Sequence, residues 1–164
     1  MSETTYSHLL RIEAVNFGHF IFDVNDLSTA RGGGLLLLEA ITRVAKLIEQ
    51  KGGKTISSGA SVGLFGLVAS SNAQAGATAK HVRDELNRHT EFQHATFVVD
   101  VVATTSNTFR LDCERVLALN RRQQLAMPAM QVPAPGNGVC KLDRIRPASG
   151  GAAEKDKAHE QSHS

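Results

Sequence analysis

Lys54-Thr55-Ile56-Ser57-Ser58-Gly59-Ala60-Ser61-Val62-Gly63-Leu64-Phe65-Gly66-Leu67-Val68-Ala69 lies near the middle of the chain. Lys54 to Ser58 and Val62 to Ala69 read as two strands joined at Gly59-Ala60, because small residues between apolar runs suit a hairpin. Helical spacing flanks this hairpin on both sides. Upstream, Leu37, Ile41, Val44 and Ile48 recur at i, i+4, i+7 and i+11, which predicts a helix from about Gly34 to Gln50. Gly52-Gly53 is its stop signal. Downstream, Asn72 is the expected N-cap. Ala75, Ala79, Val82 and Leu86 share one face of a helix reaching about Arg88.

Working further outward, Leu9 to Val15 is mostly apolar and reads as a buried strand. Phe17, Phe20, Ile21 and Phe22 follow with helix-like spacing in a short segment. Ala95 to Thr104 is the clearest strand, carrying Phe97, Val98, Val99, Val101 and Val102. A third helix is expected from about Thr108 to Leu125, with Phe109, Cys113, Val116 and Leu117 as its apolar stripe. The order strand, helix, strand, strand, helix, strand, helix is the split βαβ, or ferredoxin-like, order. The expected class is α+β, an antiparallel sheet with helices on one face. That architecture hosts many unrelated functions, so the order alone does not decide the activity.

The composition agrees with one globular domain. The chain has 164 residues, 41% hydrophobic and 21% charged, with no Trp and one Tyr. A disordered or collagen-like chain is excluded. The longest apolar run, Leu35 to Leu38, is far short of the ~18 residues of a membrane span. Ser2 to Thr5 lack the basic and apolar regions of a signal peptide, so a cytoplasmic location is expected, with no membrane partner. A net charge of +2 is too small for nucleic-acid binding by bulk attraction. Two cysteines, Cys113 and Cys140, cannot build a disulfide framework or a four-ligand zinc site. After Met127, Pro128, Pro133, Pro135, Gly136 and Gly138 make regular structure unfavourable. The expected organisation is a domain over 6–126, a Pro/Gly-rich arm over 127–148 and a disordered tail over 149–164.

The segment Phe20-Ile21-Phe22-Asp23-Val24-Asn25-Asp26-Leu27-Ser28-Thr29-Ala30-Arg31-Gly32-Gly33-Gly34-Leu35-Leu36-Leu37-Leu38-Glu39 is distinctive. It resembles the first palm domain of the large subunit of type III CRISPR effector complexes, the CRISPR polymerase/cyclase family. That family pairs an FIF-type motif and a short polar stretch with an Arg-Gly-Gly/Ala-Ser motif opening a Leu-rich helix. Ser57-Ser58-Gly59 resembles the family's Gly-rich hairpin. Asn120-Arg121-Arg122-Gln123, Cys140 and Arg146-Pro147-Ala148 resemble its segment after the palm. The likeness covers roughly residues 8 to 148, and family members are much longer. It implies a palm related to nucleotidyl cyclases, ATP bound between two palms with Mg²⁺ or Mn²⁺, and cyclic oligoadenylate synthesis in antiviral defence.

Two-metal nucleotidyl transfer requires carboxylates to hold the cations. Glu13 stands where the resemblance places the first acid and is the candidate metal ligand. The hairpin Ser57 to Ser61 contains no carboxylate. A hydroxyl bonds a phosphate oxygen or a water but does not replace an ionic ligand. The palm is therefore expected to be non-catalytic alone. The candidate nucleotide-binding residues are Asp23, Asp26, Ser28, Arg31, Gly32 and Gly33, with Ser58 and Gly59 of the hairpin. Gly-rich backbone at a helix start offers N–H groups to an anion. Arg31 suits a phosphate, and Asp23 and Asp26 suit a ribose, a base or a metal. The bland alternative is a loop that only turns the chain into a helix.

Other motifs are weaker. Gly53-Lys54-Thr55 lacks the earlier Gly of a P-loop, since position 48 is Ile, and precedes a strand. His81 and His89 lie two turns apart, and they and the His159/His163 pair read as solvated. Cys113 reads as a small core residue. Ser57, Ser58 and Ser61 lack the Gly-x-Ser-x-Gly elbow of a hydrolase. Arg121-Arg122, or Arg144 with Arg146, offers an indirect RNA contact, but such pairs are usually solvated.

The expected function is a nucleotide-binding palm-like module. It would bind ATP or a cyclic oligonucleotide together with a second palm, supplied by a homodimer or a separate chain. Two alternatives stand beside it: a non-enzymatic assembly subunit of an antiviral effector, and a divergent active cyclase using Glu13, Asp23 and Asp26.

Overall fold

A computed structural model describes residues 6–15, 27–92, 95–105 and 108–126. Strand β1 (His8–Val15) leads to helix α1 (Leu27–Gln50). Strands β2 (Lys54–Ser58) and β3 (Val62–Leu67) form the hairpin. Helix α2 (Asn72–Arg88), a 3-10 turn at Thr90–Phe92, strand β4 (Thr96–Ala103) and helix α3 (Phe109–Ala126) complete the described elements. The four strands make one antiparallel sheet in the order β2-β3-β1-β4. This is the expected α+β ferredoxin-like arrangement, with β1 and β3 central.

Alternation along β1 sends Leu10, Ile12 and Ala14 to one face and Leu9, Arg11 and Glu13 to the other. On the first face Leu10, Ile12, Phe65 and Val99 pack against Leu37, Ile41, Val44 and Ile48 of α1 and Ala75, Ala79, Val82 and Leu86 of α2. The stripes read from helical spacing are the ones buried. α3 does not join this face. Its Val116 packs with Leu9 and Val102 on the second face, and Cys113, Ile56 and Leu64 pack against that cluster. One-sided packing thus holds for α1 and α2, and α3 covers the reverse side.

Helix α1 ends as the double glycine predicts. Gly52 takes φ +78, the left-handed region open to glycine. Its N–H bonds Glu49 O at 2.9 Å, and the Gly53 N–H bonds Ile48 O at 3.0 Å, the paired bonds of a Schellman stop. The start differs from expectation. α1 begins at Leu27, not Gly34, so Arg31-Gly32-Gly33 form part of the helix. Each helical glycine costs about 1 kcal/mol. Once Leu37, Ala40 and Ile41 anchor the helix on the sheet, however, extending it needs no new nucleus.

Helix α2 is capped by Ser71 rather than Asn72. The Ser71 hydroxyl accepts the Gln74 N–H, and the Gln74 side chain accepts the Ser70 N–H at 2.7 Å. Asn72 is occupied elsewhere, its Oδ1 lying 2.9 Å from Nε2 of the buried His8. β3 stops at Leu67 instead of Ala69. The Ser7 hydroxyl takes over there, accepting the Ala69 N–H at 2.9 Å and donating to its carbonyl at 2.8 Å.

Candidate functional site

β1 is the sheet's central scaffold, and its outward charges fall on the second face. In register, Arg11 sits between Leu64 of β3 and Asp100 of β4, and Glu13 between Val62 and Val98. The hairpin turn is brought to the same end. The Gly59 N–H bonds Val62 O and the Ala14 N–H bonds Ser61 O, both at 2.8 Å. Ser57, Ser58, Gly59 and Ala60 are exposed there. β1 runs toward this end, α1 runs back from it and β2 returns to it. Arg31, Gly32, Ser58, Gly59 and Glu13 therefore share one end of the molecule, though α1 lies over the opposite face.

Glu13 is buried, and each of its carboxylate oxygens accepts a hydrogen bond. Arg11 Nη2 donates to one carboxylate oxygen at 2.9 Å, and Arg121 Nη1 of α3 donates to the other at 3.0 Å. Arg121 also donates to Gln124 Oε1 at 2.7 Å, and Gln124 Nε2 to Asn120 Oδ1 at 2.8 Å. Asn120, fully buried, donates to Asp100 Oδ2 at 3.2 Å and Val98 O at 3.3 Å. One polar chain thus runs from Arg11 to Asp100 beneath α3. Burial pushes the Asp100 carboxyl up, against the opposing pull of Asn120. The Arg11 Nε–H is buried with no hydrogen-bond partner among the described residues.

This arrangement bears on the metal expectation. Mg²⁺ requires free carboxylate oxygens, and both of Glu13's are bonded to guanidinium groups. A divalent cation there would meet the repulsion of two adjacent guanidinium charges. Among the described residues no three His, Cys, Asp or Glu side chains group as metal ligands. The Arg11–Glu13–Arg121 triad carries one net positive charge, with Asp100 opposite Arg11 on the next strand.

The other expected site residues divide. Asp23 and Asp26 lie outside the described residues, as do the Phe20 motif, Cys140, the Pro/Gly arm and the tail. Ser28 falls in the first turn of α1. Arg31 is exposed, and Gly32 and Gly33 follow it inside the helix. Their N–H groups belong to the second turn, where the helix's own carbonyls accept them. The expected cradle of free N–H groups is therefore not formed by this glycine run, whose part reduces to the exposed Arg31 side chain.

Arg121 and Asn120, read from the sequence as a family-like segment and a solvated pair, instead bond Glu13 and Asp100. Of the α3 stripe expected from Phe109, Cys113, Val116 and Leu117, Val116 and Cys113 face inward, Phe109 and Leu117 are exposed, and Asp112 and Asn120 are buried in their place. A helix above Arg11, Glu13 and Asp100 needs polar partners, so amides replace leucines on its inner side. The available signal was Asp112-Asn120-Gln124 at helical spacing with Val116.

Two hollows lie on the other side. The groove between α1 and α2, about 220 Å³, is lined by Val44, Leu47, Val82 and Leu86 with Arg43 and His89. Arg43 is already held by Glu39 at 2.7 Å, by His89 at 3.2 Å and over the Phe92 ring at 5.6 Å. His81 and His89 are half-buried rather than solvated. A second hollow of about 420 Å³ has Lys51, Gln74, Thr78 and His81 on its wall, at the sheet end away from the hairpin. No described helix is long and apolar enough to cross a membrane.

Comparison with protein-family models gives no match, and neither does comparison with curated proteins.

Proposed function

We propose that this chain is a palm-like, nucleotide-binding module that does not catalyse transfer alone and completes its site with a second palm. The observation that carries this reading is the state of Glu13. It stands on the first strand beside the β2–β3 turn, where a two-metal enzyme would gather acids, but Arg11 and Arg121 neutralise it. Guanidinium groups and serine hydroxyls suit the phosphates of ATP or a cyclic oligonucleotide, not a resident cation. Arg121, exposed over half its side chain, is the accessible donor. Arg31 adds a second cation at the same end. Any Mg²⁺ or Mn²⁺ arrives on the nucleotide, and any catalytic carboxylates come from the second palm.

Calorimetric titration with ATP, with and without Mg²⁺, tests this on wild type, Arg121→Ala and Arg31→Ala. Wild type is expected to bind in both conditions. Arg121→Ala is expected to bind about tenfold more weakly, the worth of one charge-assisted hydrogen bond. No binding by wild type, or equal affinity in all three proteins, overturns the reading.

A further inference from the structure

Helix α1 carries a second ordered row on its flank toward the β2 edge, where Ala45 still packs against the core and Glu49 Oε1 accepts the Thr55 hydroxyl at 2.9 Å. Arg31, Leu35, Leu38, Thr42, Ala45 and Glu49 follow one another at intervals of four, three, four, three and four residues. That alternation keeps one seam turned toward a partner helix. Leu35 is 60% exposed and Leu38 43%, although Leu37, Ala40, Ile41, Val44 and Ile48 already supply the core contact of α1. Thr42 bonds its hydroxyl to Leu38 O at 2.8 Å, satisfying that group within the helix. A Cβ on Gly32 or Gly34 would meet nothing within 4 Å, so no packing among the described residues calls for these glycines.

The charges at the two ends choose the occupant. Arg31 and Glu49 are eighteen residues apart. That is five turns, so they stand on one line of the helix about 27 Å apart. Both are exposed and opposite in sign. We propose that a second copy of this chain docks here, α1 antiparallel to α1, about a twofold axis near Ala40. Arg31 then faces Glu49 of the second copy, Leu35 faces Ala45 and Leu38 faces Thr42. Each pair occurs twice, as an isologous contact requires. A parallel pair would set Arg31 on Arg31 and Glu49 on Glu49, so the charge pattern itself selects the antiparallel form. Large side chains meet small ones along the seam, which makes the row self-complementary. A seam of this length is at the low end of specific interfaces, so the dimer is concentration-dependent. The inference shares Arg31 with the nucleotide reading but not Glu13 and Arg121, which lie on the opposite face of the sheet.

Sedimentation velocity over a concentration series of the full chain tests it. The proteins compared are wild type, Leu38→Glu, Arg31→Glu, Glu49→Arg and the double charge reversal. Wild type is expected to dimerise and Leu38→Glu to remain monomeric. Each single reversal is expected to weaken the dimer about tenfold, and the double reversal to restore it. All the substituted positions are exposed, and unchanged far-UV circular dichroism checks the fold. A monomeric wild type, a dimer unaffected by Leu38→Glu, or a double reversal no tighter than the singles overturns the proposal. Arg121→Ala, which tests ATP binding, is expected to leave the dimer unchanged, so the two readings fail separately.

Discussion

Asp100 and Asp112 are two buried carboxylates whose surroundings act in opposite directions. Burial raises the Asp100 pKa more than its hydrogen bond from Asn120 lowers it. For Asp112 burial also acts upward, but the Thr105 hydroxyl and amide and Arg115 outweigh it and hold the pKa below its ordinary value. The Asp112 carboxylate therefore stabilises the fold above the unfolded pKa near ~3.9, and this contribution is lost as pH falls through the lower folded value. Asp112→Asn is expected to cost about 2 kcal/mol at neutral pH, with the gap to wild type closing in acid. Asp100 has the opposite sign. Its charged form is penalised above the raised folded pKa, and the penalty disappears as pH falls below the unfolded value. Asp100→Asn keeps an acceptor for Asn120 and is expected to add about 1 kcal/mol at neutral pH and nothing in acid. Thermal unfolding of both variants across pH checks the two signs. At this scale the sequence was only partly legible. An acid on the first strand was visible at Glu13, but Arg121, which bonds it, lies 108 residues away and no local pattern connects them.

Among the elements, α1 shows what local signals leave out. Its Schellman stop was legible because Gly52-Gly53 acts through backbone geometry within one turn. Its start was not, because Arg31 to Gly34 read as a break whereas packing downstream carries the helix through it. The glycines themselves separate by what surrounds them. A Cβ at Gly53 would stand 2.6 Å from Ile48 Cγ2 and 2.7 Å from Gly66 O, a backbone atom that cannot swing away. Gly53→Ala is expected to destabilise by about 1–3 kcal/mol. Gly32→Ala meets nothing within 4 Å and is expected to stabilise by about 0.5–1 kcal/mol, because alanine gives up less backbone entropy in a helix. Chemical denaturation of the two variants, with opposite displacements of the midpoint, decides between a packing role and none. For α3 periodicity found the helix and its inward Val116 and Cys113 but not the buried Asp112 and Asn120 beside them, since an apolar stripe presumes an apolar surface beneath it.

Across the whole molecule the sheet separates two cores of unequal size. Among the described residues the α1–α2 face buries a cluster of seventeen, and the α3 face a cluster of three, Leu9, Val102 and Val116, beside the polar chain. Local opening follows such differences. Amide hydrogen exchange is expected to release α3 well before α1, α2 or β1, and equal protection of α3 and α2 would contradict this. Opening of α3 also frees Arg121 from Glu13, so Arg121→Ala is expected to hasten exchange in α3 more than in α2. By itself the sequence determined the order of strands and helices, the hairpin, the α1 and α2 stripes and the absence of acids from Ser57 to Ser61. Each of these is written in residues a few positions apart, within reach of helical or strand periodicity. Only the tertiary structure decided that α3 crosses to the second face, that Arg11 and Arg121 close on Glu13, and that the glycine run lies inside a helix. Those outcomes depend on which distant surfaces meet, because a buried charge takes its partner from whatever the fold brings within hydrogen-bond reach.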